Sequence, residues 1–122
     1  MRRMVIEIGD ESFAATLLET PVAEAIWNAL PLEAGFQTWG DEIYFDTGVE
    51  IELDATQAAV SLGDVGYWPP GRAICLFYGA TPVSGPGEIR PASPVAVFGK
   101  LEGDATALKS ARGRRVRVKR DA

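Results

Sequence analysis

The feature that most constrains this chain is a period-two alternation of apolar and polar residues that recurs along its length and is broken at short intervals by glycine or proline. Met4, Ile6 and Ile8 alternate with polar or smaller partners, Gly9-Asp10-Glu11 supplies a turn, and Phe13, Ala15 and Leu17 alternate again. That pattern predicts a hairpin, because side chains of a strand point alternately to its two faces. Helical spacing is clear in one segment: Thr20 and Pro21 provide an N-cap and a first-turn proline, and Val22, Ala25, Ile26, Ala29 and Leu30 follow along one helix face. The helix must stop near Leu30, since Pro31 disfavours helical geometry in the residue before it.

Further along, residues 42–53 read as a strand, with Ile43, Phe45, Val49, Ile51 and Leu53 opposite the carboxylates, and residues 54–63 fit either a helical turn or an irregular connection. Residues 65–68 and 73–78 flank Pro69-Pro70-Gly71, whose proline and glycine suit a type II turn, so a second hairpin is expected there. Residues 79–94 form a loop rich in glycine and proline, of a length that in a compact domain is usually functional or disordered. Residues 95–101 form a strand. Asp104 caps a short helix through Ala111 that Gly113 closes, and residues 114–119 make the last strand. About eight short strands with two helices and no βαβ rhythm close most easily as an antiparallel β-barrel, which removes exposed edges, with the helices capping it.

With 122 residues, 47% of them apolar, the chain fills one core, and a single domain over residues 1–122 is expected. It contains no histidine, which removes the usual neutral-pH general base, the imidazole metal ligand and every catalytic triad built on that residue. Cys75 is the lone cysteine and sits in an apolar run, so neither a disulfide framework nor a thiolate zinc site can be assembled, and a reducing cytoplasm is the expected compartment. Met1-Arg2-Arg3 is followed by too short an apolar stretch for a signal peptide, and no segment approaches the roughly 20 apolar residues of a membrane span.

Charge is divided unevenly. Residues 1–108 hold sixteen acids and five bases, whereas residues 109–122 hold seven bases and one acid. Arg115-Val116-Arg117-Val118-Lys119 alternates with period two, so these bases are expected on the solvated face of an edge strand, where positive charge discourages sheet-to-sheet association, and not on a nucleic-acid arm. The carboxylates of Asp41, Glu42, Asp46, Glu50, Glu52, Asp54 and Asp64 lack the pinned loop of a hard-cation site, and no metal or other cofactor is expected. Ser84, Ser93 and Ser110 have no imidazole to activate them. Trp39, Tyr67 and Trp68 stand beside glycine or proline turns, where rings are available for stacking or for a groove. Arg90, in the long loop before Pro91-Ala92-Ser93-Pro94, is placed to pair with Glu42 or to grip a ligand carboxylate.

Three stretches carry a resemblance. Thr38-Trp39-Gly40-Asp41-Glu42-Ile43-Tyr44-Phe45, Gly63-Asp64-Val65-Gly66-Tyr67-Trp68-Pro69-Pro70-Gly71 and Pro91-Ala92-Ser93-Pro94-Val95 resemble a family of small bacterial and archaeal proteins of uncharacterised function with a cyclophilin-like barrel. More distantly the chain is similar to the cyclophilins, which are peptidyl-prolyl isomerases. That similarity implies that Val97-Phe98-Gly99-Lys100-Leu101 matches a strand after the active-site loop, and that Leu76-Phe77 and Phe45 fall at aromatic positions of the proline pocket. Cyclophilins carry a Phe-His-Arg motif whose arginine donates to the prolyl amide nitrogen. Here the matching stretch places acidic Asp41 or Glu42 near that arginine.

The exchange matters because amide rotation faces a barrier of roughly 18–20 kcal/mol, which a cation aimed at the nitrogen lowers and an ionised carboxylate does not. The leading expectation is a binding protein that takes a small molecule or a proline-containing, extended peptide in a cleft on the barrel face, lined by Trp39, Glu42, Tyr44, Tyr67, Trp68, Phe77, Arg90 and Ser93. Two alternatives remain: a divergent isomerase drawing its donor from Arg90 or Arg72, and an assembling subunit, such as a homodimer, that buries its aromatic loops in a partner.

Overall fold

Alternation at the N-terminus yields its hairpin directly: β1 (Arg3–Ile8) pairs antiparallel with β2 (Glu11–Leu17), and Met4, Ile6 and Ile8 turn inward to full burial. The structure, a computed structural model, describes residues 2–53 and 55–121; Met1, Ala122 and the Asp54 carboxylate considered above lie outside them. Helix α1 (Pro21–Ala29) begins where its cap predicts. The Thr20 side chain accepts from the Ala23 N–H at 3.1 Å, Pro21 occupies the first turn, and Val22, Ala23 and Ile26 enter the core.

Next come β3 (Leu32–Gly35), β4 (Gln37–Thr38), β5 (Glu42–Asp46), β6 (Asp64–Trp68), β7 (Ala73–Phe77), β8 (Ala96–Leu101) and β9 (Arg115–Arg120). All pairings are antiparallel and form one sheet in the order β3-β9-β1-β2-β8-β6-β7-β5-β4. Its terminal strands, β3 and β4, are joined in sequence through Phe36, so the sheet curls into a nearly closed barrel of nine strands. The interior holds Met4, Ile6, Ile8, Val65, Ile74, Leu76 and Phe98 at 0% exposure. Burying each contributes roughly 1.5–3 kcal/mol against solvent exposure.

Several expectations are corrected. Residues 47–53 do not continue β5: Gly48 N–H donates to Asp46 Oδ1 at 2.7 Å and turns the chain out of the ladder, although Ile51 and Leu53 still pack on the core. Of the two readings open for residues 54–63, the described residues 55–63 take the irregular connection, touching the long loop by isolated bridges, Gln57 to Val95 and Val60 to Ile89. Pro69–Gly71 is a 3₁₀ turn and not type II, with the left-handed conformation on Arg72 (φ 47°). Ala105–Ser110 is also 3₁₀, so α1 is the one α-helix among the described residues. Strand β9 is not an edge. It lies between β3 and β1, where Arg115 pairs with Glu33 and Lys119 with Glu7, and this cross-strand complementarity accounts for part of its basic face.

Candidate functional site

Register along β5, β7 and β6 separates two faces. Paired residues point the same way, so Ile43, Phe45, Val65, Tyr67, Ile74 and Leu76 face the barrel interior, while Glu42, Tyr44, Cys75, Phe77 and Trp68 face outward. Covered by residues 55–62 and the 79–95 loop, the outward residues form a second apolar cluster: Val60, Cys75, Phe77 and Val95 are buried, with Tyr44, Trp68, Ile89 and Val97 packed on them. At its rim opens a cavity of about 270 Å³ lined by Trp39, Glu42, Tyr44, Trp68, Pro91 and Ala92. A second cavity of about 180 Å³ shares Tyr44 and Trp68, so this pair separates two parts of one groove.

The walls are pinned from outside. Tyr44 donates its hydroxyl to Gln37 Oε1 at 2.6 Å, and Trp68 Nε1 donates to Ser93 Oγ at 2.6 Å, so both polar ends are occupied by the protein. Gly71 supports the Trp68 ring, because a β-carbon there would lie 2.9 Å from two of its ring carbons. Glu42 is the acid of the site. It is only 5% exposed, and its Oε1 has no hydrogen-bond partner among the described residues. Burial raises its pKa above the ordinary carboxylate value, an effect that hydrogen bonding from the Cys75 thiol opposes. Burial, and then the Glu42 charge, push the Cys75 thiol well up, so Cys75 is no thiolate nucleophile at neutral pH.

Of the eight residues expected at the site, Trp39, Glu42, Tyr44 and Trp68 line the cavity and Ser93 anchors one wall. Phe77 is 0% exposed and lies beneath it as a Cα partner of Glu42, supporting the floor without lining the opening. Tyr67 is elsewhere. At 1% exposure it faces the interior and donates its hydroxyl to the Val49 carbonyl at 2.6 Å, because adjacent strand residues cannot share a face with Trp68. Phe45 also faces inward. Arg90 grips Glu88 through two nitrogens, at 2.8 and 3.2 Å, and its backbone is held by Ser84 and Thr81, so it neither pairs with Glu42 nor lines the cavity. Arg72 pairs with Asp46 at 3.4 Å and does not line it either.

Pro91, Ala92, Gln37 and Cys75 join the site beyond those eight. The Pro91-Ala92-Ser93-Pro94 run carried a signal for the first two, whereas Gln37 sits on a two-residue strand too short to show any period. Among the described residues no three acids or thiols converge on a point that would hold a metal ion. No helix among the described residues is long and apolar enough to cross a membrane.

The nearly closed antiparallel barrel is of the cyclophilin-like type: a family model described as cyclophilin-like matches residues 2–119. The chain belongs to the cyclophilin-like family. A hypothetical protein from Archaeoglobus fulgidus, known from its solution structure, is 40% identical, with a TM-score of 0.81 over 98% of this chain and 94% of that one. McbB, in a structure with tryptophan, superposes with a TM-score of 0.74 at 18% identity over 98% of this chain, a likeness of fold in which this chain spans 45% of McbB. No match was found among curated proteins.

Proposed function

We propose that the protein is a binding module whose outer groove holds a small molecule or an extended peptide segment, contacted by Trp39, Glu42, Tyr44, Trp68, Pro91 and Ala92. The observation that carries this reading is Glu42. A buried polar atom without a partner costs about 1–3 kcal/mol, more when charged, and an apolar side chain at that register would avoid the cost. A carboxyl oxygen that the fold leaves unsatisfied at the edge of an aromatic cavity is explained by a ligand that completes it. McbB, whose fold this chain shares, is known in complex with tryptophan, which is compatible with the small-molecule form of this reading.

Tryptophan fluorescence tests the proposal. Trp27 lies away from the cavity, between the Arg2 and Arg120 guanidinium groups at 5.2 and 4.7 Å, so Trp27→Phe leaves Trp39 and Trp68 as reporters. Titration of that variant with proline-containing peptides and a panel of small metabolites should give a saturable change with at least one. A flat response to all of them refutes the reading.

A further inference from the structure

We infer that the groove selects an amine: a small ligand whose cationic nitrogen docks on Glu42 and whose apolar body lies among Trp39, Tyr44 and Trp68. This rests on the groove being a ligand site and specifies the chemistry it takes. Among the described residues no lysine or arginine lines the cavity, and Arg72, Arg90 and Lys109 are each paired with an acid outside its lining: Asp46, Glu88 and Asp41. An anionic ligand would meet a carboxyl group and no counter-charge.

An ammonium group supplies what Glu42 lacks, a charge-assisted donor for its unpartnered oxygen. The walls suit the same charge. With the Tyr44 hydroxyl given to Gln37 and the Trp68 N–H given to Ser93, these side chains offer ring carbon, and aromatic faces attract cations, more strongly where water is excluded. The acidic excess of residues 1–108 favours approach of a cation from solution. A cavity of about 270 Å³ falls just below the roughly 300–1,000 Å³ of pockets for drug-sized ligands, which fits a single ring on a short alkylamine.

The test uses three matched probes, 2-phenylethylammonium, 2-phenylethanol and 3-phenylpropanoate, titrated by calorimetry into the whole protein. The ammonium ion should bind about tenfold more tightly than the alcohol, and the carboxylate more weakly than either. In Glu42→Gln, shown by a cooperative melt to be folded at the titration temperature, the amine should fall to the affinity of the alcohol. The titratable groups near Glu42 are Cys75, Tyr78, Tyr44 and Asp41, the last paired with Lys109, and of these the Cys75 thiol hydrogen-bonds its carboxyl. Preference for the amine should therefore grow as pH rises and Glu42 ionises. Equal binding of amine and alcohol by the wild type overturns the amine inference but leaves a ligand groove standing. Silence to these probes with a response to some other class in the metabolite panel does the same, and silence to everything removes both.

Discussion

Glu42 concentrates the conflict between folding and binding in a single side chain. Its carboxyl is raised in pKa chiefly by desolvation, so folding favours the protonated form more than the unfolded chain does. For an acid raised in the folded state, the associated stability is fully present below the ordinary unfolded value and is lost as pH rises through the folded one. Glu88, Glu102 and Asp104 behave oppositely. Side-chain hydrogen bonds, from Arg90, Arg3 and Thr106 respectively, lower their pKa values, so their contributions fade as pH falls. Those three are common to wild type and Glu42→Gln and cancel in the difference. The melting temperature of Glu42→Gln minus that of wild type should thus climb with pH from the ordinary carboxylate range upward and then level off. Thermal melts across a pH series check this, and a pH-independent difference would mean that Glu42 is not held in a desolvated site.

Element-scale reasoning explains the turn joining β6 to β7. The glycine of Pro69-Pro70-Gly71 is not there for a positive φ, which falls on Arg72; it is there because the Trp68 indole lies against it. A methyl group in Gly71→Ala would sit 2.9 Å from ring carbons already fixed by the Nε1 bond to Ser93, so ring or backbone must shift. Overpacking of this kind costs about 1–3 kcal/mol, and displacement of Trp68 should weaken ligand binding along with it. Denaturant melts and fluorescence titration measure the two effects; unchanged stability and unchanged binding would show that the indole is free to move. Legibility in the sequence followed the same logic. Strands β1 and β2 and helix α1 were readable because alternation, turn and cap all agreed. Residues 47–53 misled because period two reports burial and not hydrogen bonding: Ile51 and Leu53 pack on the core without entering a ladder. At the site, Trp39, Glu42, Tyr44 and Trp68 were readable as aromatics and an acid beside turns, whereas including Tyr67 overlooked the pleat. Arg90 was misplaced because its partner, Glu88, is a loop neighbour that no periodicity reveals.

Across the molecule, the sheet formed by β5, β7 and β6 serves two cores of different standing. Inside, its residues belong to the barrel cluster, built from β1, β2, β5, β6, β7, β8, β9 and α1, whose members can be exposed only by opening the barrel. Outside, Val60, Cys75, Phe77 and Val95 are covered by segments that pair with one another through short bridges: Gln57 N–H to Val95 O at 2.7 Å, Val95 N–H to Gln57 O at 3.1 Å and Val60 N–H to Ile89 O at 2.9 Å. A cover with so few backbone bonds should open locally, well before global unfolding. Native-state hydrogen exchange makes the distinction. At low denaturant the Gln57 and Val60 amides should exchange at rates independent of denaturant, while β6 and β7 amides follow the global slope. Val60→Ala removes apolar contacts from the cover, so it should speed exchange at Gln57 and Val95 while leaving β1 amides slower than either. Were the Gln57 and Val60 amides to follow the same denaturant slope as β6, cover and barrel would be one cooperative unit. The groove would then be a rigid slot, and a ligand would have to enter between Trp39 and Trp68 without the loops moving.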